Sequence, residues 1–306
     1  MRWARHPEQR FERQRIDTPD ADFLDIDWAA PKTVSKDSFT GQALVIFHGL
    51  EGSSQSHYAQ AIGAHFVERG WIVAVAHFRS CSGEPNRLAR SYFSGDSADV
   101  HFILEQTRRK APHARWHAAG ISLGANALLK YTGEQAKQLT GLLGVAAVSV
   151  PVDLVATGMH LQNSLIGRYV YTPHFLATMR RKIRQKAIAF PGAVNWQKAL
   201  AARTLLEFDD AYTGPVHGFR SGLDYWSRCS SRYVLKDIQV PTLLLNARND
   251  PFIPQASLPG PDDCSDQVLL HYPGNGGHAG FASGGGLGNL SWLPQRLEKF
   301  FASEIV

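Results

Sequence analysis

Three short apolar runs recur with a helix-like stretch between each pair: "ALVIFHGL" (43–50), "WIVAVAHF" (71–78) and "RWHAAGIS" (115–122). They are rich in β-branched and small apolar residues and do not alternate with polar ones, the pattern of strands buried on both faces. Between them lie "SSQSHYAQAIGAHFVERG" (53–70), which opens on serines suited to N-capping and closes on Gly70, and "SGDSADVHFILEQTRRKAP" (94–112), acidic at its start and basic at its end. The order continues with a helix at 123–135, a strand at 141–152, strand-like runs at 241–250 and 267–273, and a closing helix at 292–304. Repeated strand–helix–strand units predict an α/β fold with a mostly parallel central sheet flanked by helices. Residues 14–30 read as a hairpin that adds antiparallel strands at one edge. From about 153 to 238 the strand runs stop, and that stretch reads as a helical lid or cap insertion within a single domain, 1–306, over the carboxyl edge of the sheet.

Composition narrows the class. The 306 residues are 44% apolar and 19% charged, enough apolar material for a sizeable core. The net charge of +5 is uneven, with five Arg and two Glu in residues 1–15 and a second cluster, "RRKIRQK", at 180–186. These read first as solvated arginine-rich faces; they also motivate a weak peripheral membrane contact. No nucleic-acid module is written here, so no nucleic-acid partner is expected. The start of the chain lacks the apolar core of a signal peptide, and no window of about 20 apolar residues predicts a transmembrane segment. Cys81, Cys229 and Cys264 are odd in number and far apart, which suggests free thiols and a cytoplasmic location.

The run "RWHAAGISLGANALLK" places the pentapeptide "GISLG" (120–124) between a strand and a helix. G-x-S-x-G has meaning in that context, where a sharp turn lifts the serine above the sheet edge. Ser122 is therefore the candidate nucleophile. A serine hydroxyl needs a base, and the base an orienting acid. Downstream, "LLLNARNDPFIP" places Asp250 just after a strand and "HYPGNGGHAGF" places His278 in a glycine-rich loop, in the order serine, acid, histidine. Asp153 is a rival acid. His271 lies inside a strand run and reads as structural. A tetrahedral intermediate needs donors for its oxyanion. The backbone N–H of Leu123 is one, and that of Leu50, in "FHGLEGS", is the other, with His48 shaping the loop. Arg79 and Asp99 read as a buried structural pair. Phe175, Leu176, Phe219 and Trp226 are either acyl contacts or lid core. No metal or cofactor motif appears, and none is expected.

Taken together, "FHGLEGSSQSHY", "HFRSCSGEPNR", "GISLGANALLKY", "ARNDPFIP" and "GGHAGF" resemble the YheT-like branch of the α/β-hydrolase fold, which has fungal medium-chain ethyl-ester synthase/esterases among its relatives. The resemblance spans about residues 20–300. It implies carboxylic-ester hydrolase activity on a small-molecule ester, lipid-derived or otherwise, with Ser122, Asp250 and His278 as the triad and "HGLEG" as the oxyanion loop. Two positions depart from it: Ser80 and Ala125 stand where glycine is common. Three readings follow: hydrolysis of short- to medium-chain acyl esters through an acyl-enzyme, acyl transfer to an alcohol by the same triad, or a non-catalytic membrane-surface module.

Overall fold

The computed structural model describes residues 8–32, 35–285 and 288–303. The residues outside these ranges include the first part of the arginine-rich start and the last residue of the expected closing helix. Eight strands form one sheet. They are β1 (Glu12–Asp17), β2 (Phe23–Ala29), β3 (Gln42–Phe47), β4 (Ile72–His77), β5 (Arg115–Ile121), β6 (Gly144–Val148), β7 (Thr242–Leu245) and β8 (Val268–His271), in the spatial order β1-β2-β4-β3-β5-β6-β7-β8. The first two strands pair antiparallel with each other, and β2 runs antiparallel to β4; every other neighbouring pair is parallel. The hairpin expected at 14–30 is thus the antiparallel edge of an otherwise parallel sheet.

The parallel strands read as unbroken apolar runs because helices cover both faces. On β3, Ala43, Val45 and Phe47 point into a core shared with α2 (Ser97–Lys110) and α3 (Leu123–Gln135). The alternate residues Leu44 and Ile46 point into a second core, with α1 (His57–Glu68) and the last helix (Trp292–Ser303). The period-2 alternation of a strand divides one sequence between two cores.

Between β6 and β7 no strand intervenes among the described residues. Helices α4 (Leu154–Asn163), α5 (Thr172–Ala189), α6 (Trp196–Ala201), α7 (Leu205–Phe208), α8 (Gly214–Val216) and α9 (Gly222–Cys229) fill the interval. They enclose their own cluster around Leu176, Ile183, Trp196 and Phe208. Near the expected boundary at about 238, Leu235 and Ile238 pack into the core that α3 shares with the sheet. Two turns in the segment are π-helical, Gly167–Tyr171 and Asp209–Thr213.

Arg79 and Asp99 form the buried pair expected from the sequence. Nε and Nη2 of Arg79 donate to both oxygens of Asp99 at 2.7 Å, and Nη1 donates to Asp22 at 2.9 Å. Asn86 donates to Asp22 at 2.5 Å, and Lys186, reaching down from α5, donates to Asn86 at 2.6 Å. The Lys186 pKa is pushed down to about 8 by burial. Ser80 sits inside this cluster at φ +63°, a conformation that suits glycine. Its hydroxyl donates to Asn86 Oδ1 at 2.5 Å and accepts from the Asn86 N–H at 3.1 Å, which holds a non-glycine residue there.

Candidate active site

The pentapeptide at the end of β5 turns as its context predicts. Ser122 has φ +54° and ψ −120°, and its N–H donates to Val148 O at 2.8 Å, so its main chain still belongs to the sheet while its side chain leaves it. A non-glycine residue held this way costs about 1–3 kcal/mol, which the surrounding packing must sustain. Both glycines of the motif are sterically required. A Cβ on Gly120 would lie 2.4 Å from the Cα of Ala125, and one on Gly124 would lie 2.4 Å from the carbonyl of His48. The turn is tight because the start of α3 is pressed against both its own strand and the loop after β3.

The structure brings Ser122, His278 and Asp250 together. The carboxylate of Asp250 lies 2.9 and 3.1 Å from Nδ1 of His278, and Nε2 of His278 lies 2.9 Å from Oγ of Ser122. A carboxylate only accepts, so in the neutral ring Nδ1 carries the proton and Nε2 is free to accept from the serine hydroxyl. Asp250 is almost wholly buried and also accepts from the Phe252 N–H at 2.8 Å, which fixes its plane.

The loop carrying His278 is held by residues that the sequence did not single out. Asn249 Oδ1 accepts from the N–H groups of Gly276 and Gly277 at 3.0 and 2.9 Å. Ser149, at φ +50° just after β6, accepts from the Ala279 N–H through its hydroxyl at 2.9 Å. The Phe252 ring stacks on the His278 imidazole with centroids 4.1 Å apart. Asn249 stands beside a residue already suspected, and adjacency was the one available signal. Ser149 has none, since its role depends on which strands are neighbours.

The rival assignments fall elsewhere. Asp153 caps α4 by accepting from the Ala156 N–H at 2.9 Å and pairs with Arg232. His271, on the edge strand, accepts from Arg296 at 2.9 Å. His48 is fully buried; its Nδ1–H donates to Gly49 O at 2.8 Å and its Nε2 accepts from the Phe78 N–H at 3.1 Å. Burial pushes its pKa down to about 3, so it is neutral and shapes the loop.

That loop and the start of α3 bring the two expected donors to the same place. Leu50 and Leu123 line one cavity with Ser122 and His278, and among the described residues neither N–H has an acceptor. Leu123 is the first residue of a helix, where the N–H has no partner within the helix. The next residue, Glu51, lies at φ +57° and is tied down three ways. Its N–H donates to the Tyr92 hydroxyl at 2.9 Å, and its Oε1 accepts from Tyr92 and from Lys182 of α5, both at 2.8 Å. Deeper in, the cavity wall is largely apolar. Phe175 and Trp226 reach it; Leu176 and Phe219 do not. Leu176 faces inward beside Ile183, about two helical turns on, and Phe219 packs on Phe93 and Tyr225. Asp209 also lines the wall, accepting from Trp226 Nε1 at 2.8 Å, and burial pushes its pKa up to about 7.

A sheet of this order with a serine on the sharp turn after β5 defines a class, and the comparisons name it. The family model described as alpha/beta hydrolase fold matches residues 42–284, and the chain belongs to that family. Within it, the Escherichia coli (strain K12) protein named "Putative esterase YheT" is 35% identical over 286 residues, 93% of this chain and 82% of that one. Mouse "Phospholipase ABHD3" is 26% identical, covering 91% of this chain and 68% of its own length. Among solved structures, Est1E of Butyrivibrio proteoclasticus with ferulic acid bound superposes with a TM-score of 0.61 at 13% identity, covering 95% of this chain and 99% of that one; this likeness concerns the fold.

Proposed function

We propose that the protein is a serine carboxylic-ester hydrolase acting on short- to medium-chain acyl esters through an acyl-enzyme. The observation that carries this reading is the unbroken contact from Asp250 through His278 to Ser122, at 2.9 Å for each link, opening onto a cavity with apolar walls. His278 takes the proton of Ser122 as Oγ attacks the ester carbonyl and returns it to the departing alkoxide. Asp250 keeps the imidazole in the required tautomer and stabilises it once charged. The N–H groups of Leu50 and Leu123 receive the oxyanion. Water then repeats the sequence to release the acid. Names of relatives such as esterase and phospholipase support an ester, and a lipid-derived one fits the apolar wall. Helices α4–α9 act as the lid.

The test is a chain-length series of p-nitrophenyl esters with the wild type and Ser122→Ala. Turnover that the substitution abolishes, with an optimum at short to medium length, is expected. Equal activity in both proteins would remove Ser122 as nucleophile, and equal inactivity on every ester would remove the substrate class.

A further inference from the structure

The segment 165–170, which runs into the π-helical turn before α5, carries the most exposed group of large apolar side chains in the described structure. Leu165, Ile166, Tyr169 and Val170 are 75, 57, 67 and 57% exposed. Their spacing, i, i+1, i+4, i+5, puts them on one side of the turn. Gly167 and Tyr171 face the other way: a Cβ on Gly167 would meet Leu161 O at 2.2 Å, and the Tyr171 ring lies 4.4 Å from Phe252. Phe252 is the ring stacked on His278. The patch is therefore two ring contacts from the site. A group of exposed apolar side chains this close to the site marks a surface that binds something.

Charge says what. From residue 154 to 206 the sequence has eight Arg and Lys and no Asp or Glu. Lys182 and Lys186 are spent on Glu51 and Asn86, but Arg168, Arg181 and Arg184 are exposed. On α5 the positions Pro173, Ala177, Arg181, Arg184 and Ile188 form one exposed stripe at helical spacing, continuing away from the patch. Among the described residues no helix is long and apolar enough to cross a membrane. Apolar side chains with flanking arginines and no acid fit the interfacial zone of an anionic bilayer, where the rings and aliphatic groups enter the headgroup boundary and the guanidinium groups meet lipid phosphates.

We propose that the 165–170 segment and the exposed face of α5 dock the protein onto anionic lipid bilayers, on the side of the molecule that reaches His278 through Tyr171 and Phe252. Docking stands apart from the esterase reading; only the delivery of lipid esters to Ser122 rests on it.

The experiment floats the full chain with vesicles of phosphatidylcholine alone and with phosphatidylglycerol added. Wild type and Ser122→Ala are expected to float with the anionic vesicles, less so as salt rises, and to stay behind with the neutral ones. The double substitutions I166D/V170D and R181E/R184E should each lower the partition coefficient about tenfold or more while keeping the wild-type melting curve and the wild-type turnover of a soluble short-chain ester. Three results would overturn the proposal: no flotation of wild type, variants that float equally well, or a wild-type dimer in light scattering that I166D/V170D dissolves, which would make the patch a face between two copies. A wild type that floats but hydrolyses nothing would break the esterase reading alone.

Discussion

Two polar clusters sit within one sheet's reach and differ in how completely they are satisfied. Around Arg79, each guanidinium nitrogen meets a carboxylate: Nε and Nη2 meet the two oxygens of Asp99, and Nη1 meets Asp22, which also accepts from Asn86 and the Arg87 N–H, while Lys186 donates to Asn86. Around Ser122, among the described residues, the N–H groups of Leu50 and Leu123 have no protein acceptor and the serine main chain is strained. The first cluster is finished by the chain itself. In the proposed reaction the second is completed by the oxyanion of the substrate. Structure and reactivity are thus separated by what is left unpaired rather than by how polar the region is.

Substitutions can break that contrast. Ser122→Ala should lower kcat by about 10⁴–10⁶-fold with an unchanged melting temperature, measured by ester hydrolysis and calorimetry. Asp250→Asn should cost about 10³–10⁴-fold in kcat, because an amide permits the wrong ring tautomer. The opposite profile is expected for Arg79→Met. Leaving buried carboxylates unpaired should cost about 3–5 kcal/mol in denaturant unfolding, while the molecules that remain folded turn over ester at close to the wild-type rate. A variant that lost activity and kept stability would blur the two clusters into one.

The smallest effect is on pH. His48 and His117 are both buried, and burial pushes their pKa values down to about 3 and about 4. Each therefore stays neutral in the folded protein while taking a proton in the unfolded chain below about pH 6.5. A folded pKa below the unfolded one gives stability that is complete above the unfolded value and lost as pH falls. Each histidine should cost about 2 kcal/mol between pH 6.5 and pH 5. Unfolding free energies at the two pH values measure this, and His117→Phe, between the rings of Trp71 and Phe301, should flatten the slope.

Much of this was legible in the sequence, for identifiable reasons. Strands buried on both faces announce themselves as unbroken apolar runs, so β3 to β6 were visible. The elbow was visible because steric need at Gly120 and Gly124 writes itself as glycine. Asp250 and His278 could be ordered along the chain, but their distances to Ser122 depend on strand order. Ser149 and the Lys182–Glu51–Tyr92 tie were invisible, since each joins segments far apart in the chain. The fate of Leu176 against Phe175 turned on about 100° of helix rotation, which neighbouring helices settle.

The hydrogen bond between Ser122 and His278 closes a loop of 156 residues, and it does so only through β6 and β7. The N–H of Ser122 needs the end of β6, the Ser149 N–H needs Leu245 O of β7 at 2.7 Å, and the Ser149 hydroxyl then holds the histidine loop. A slip of one residue in either pairing would turn these groups to the wrong face. Contacts of such long range are costly to close and form after local ones. In a refolding experiment the helical signal should therefore return before Ser122 regains its partner, which makes the site a clock for the last step of assembly.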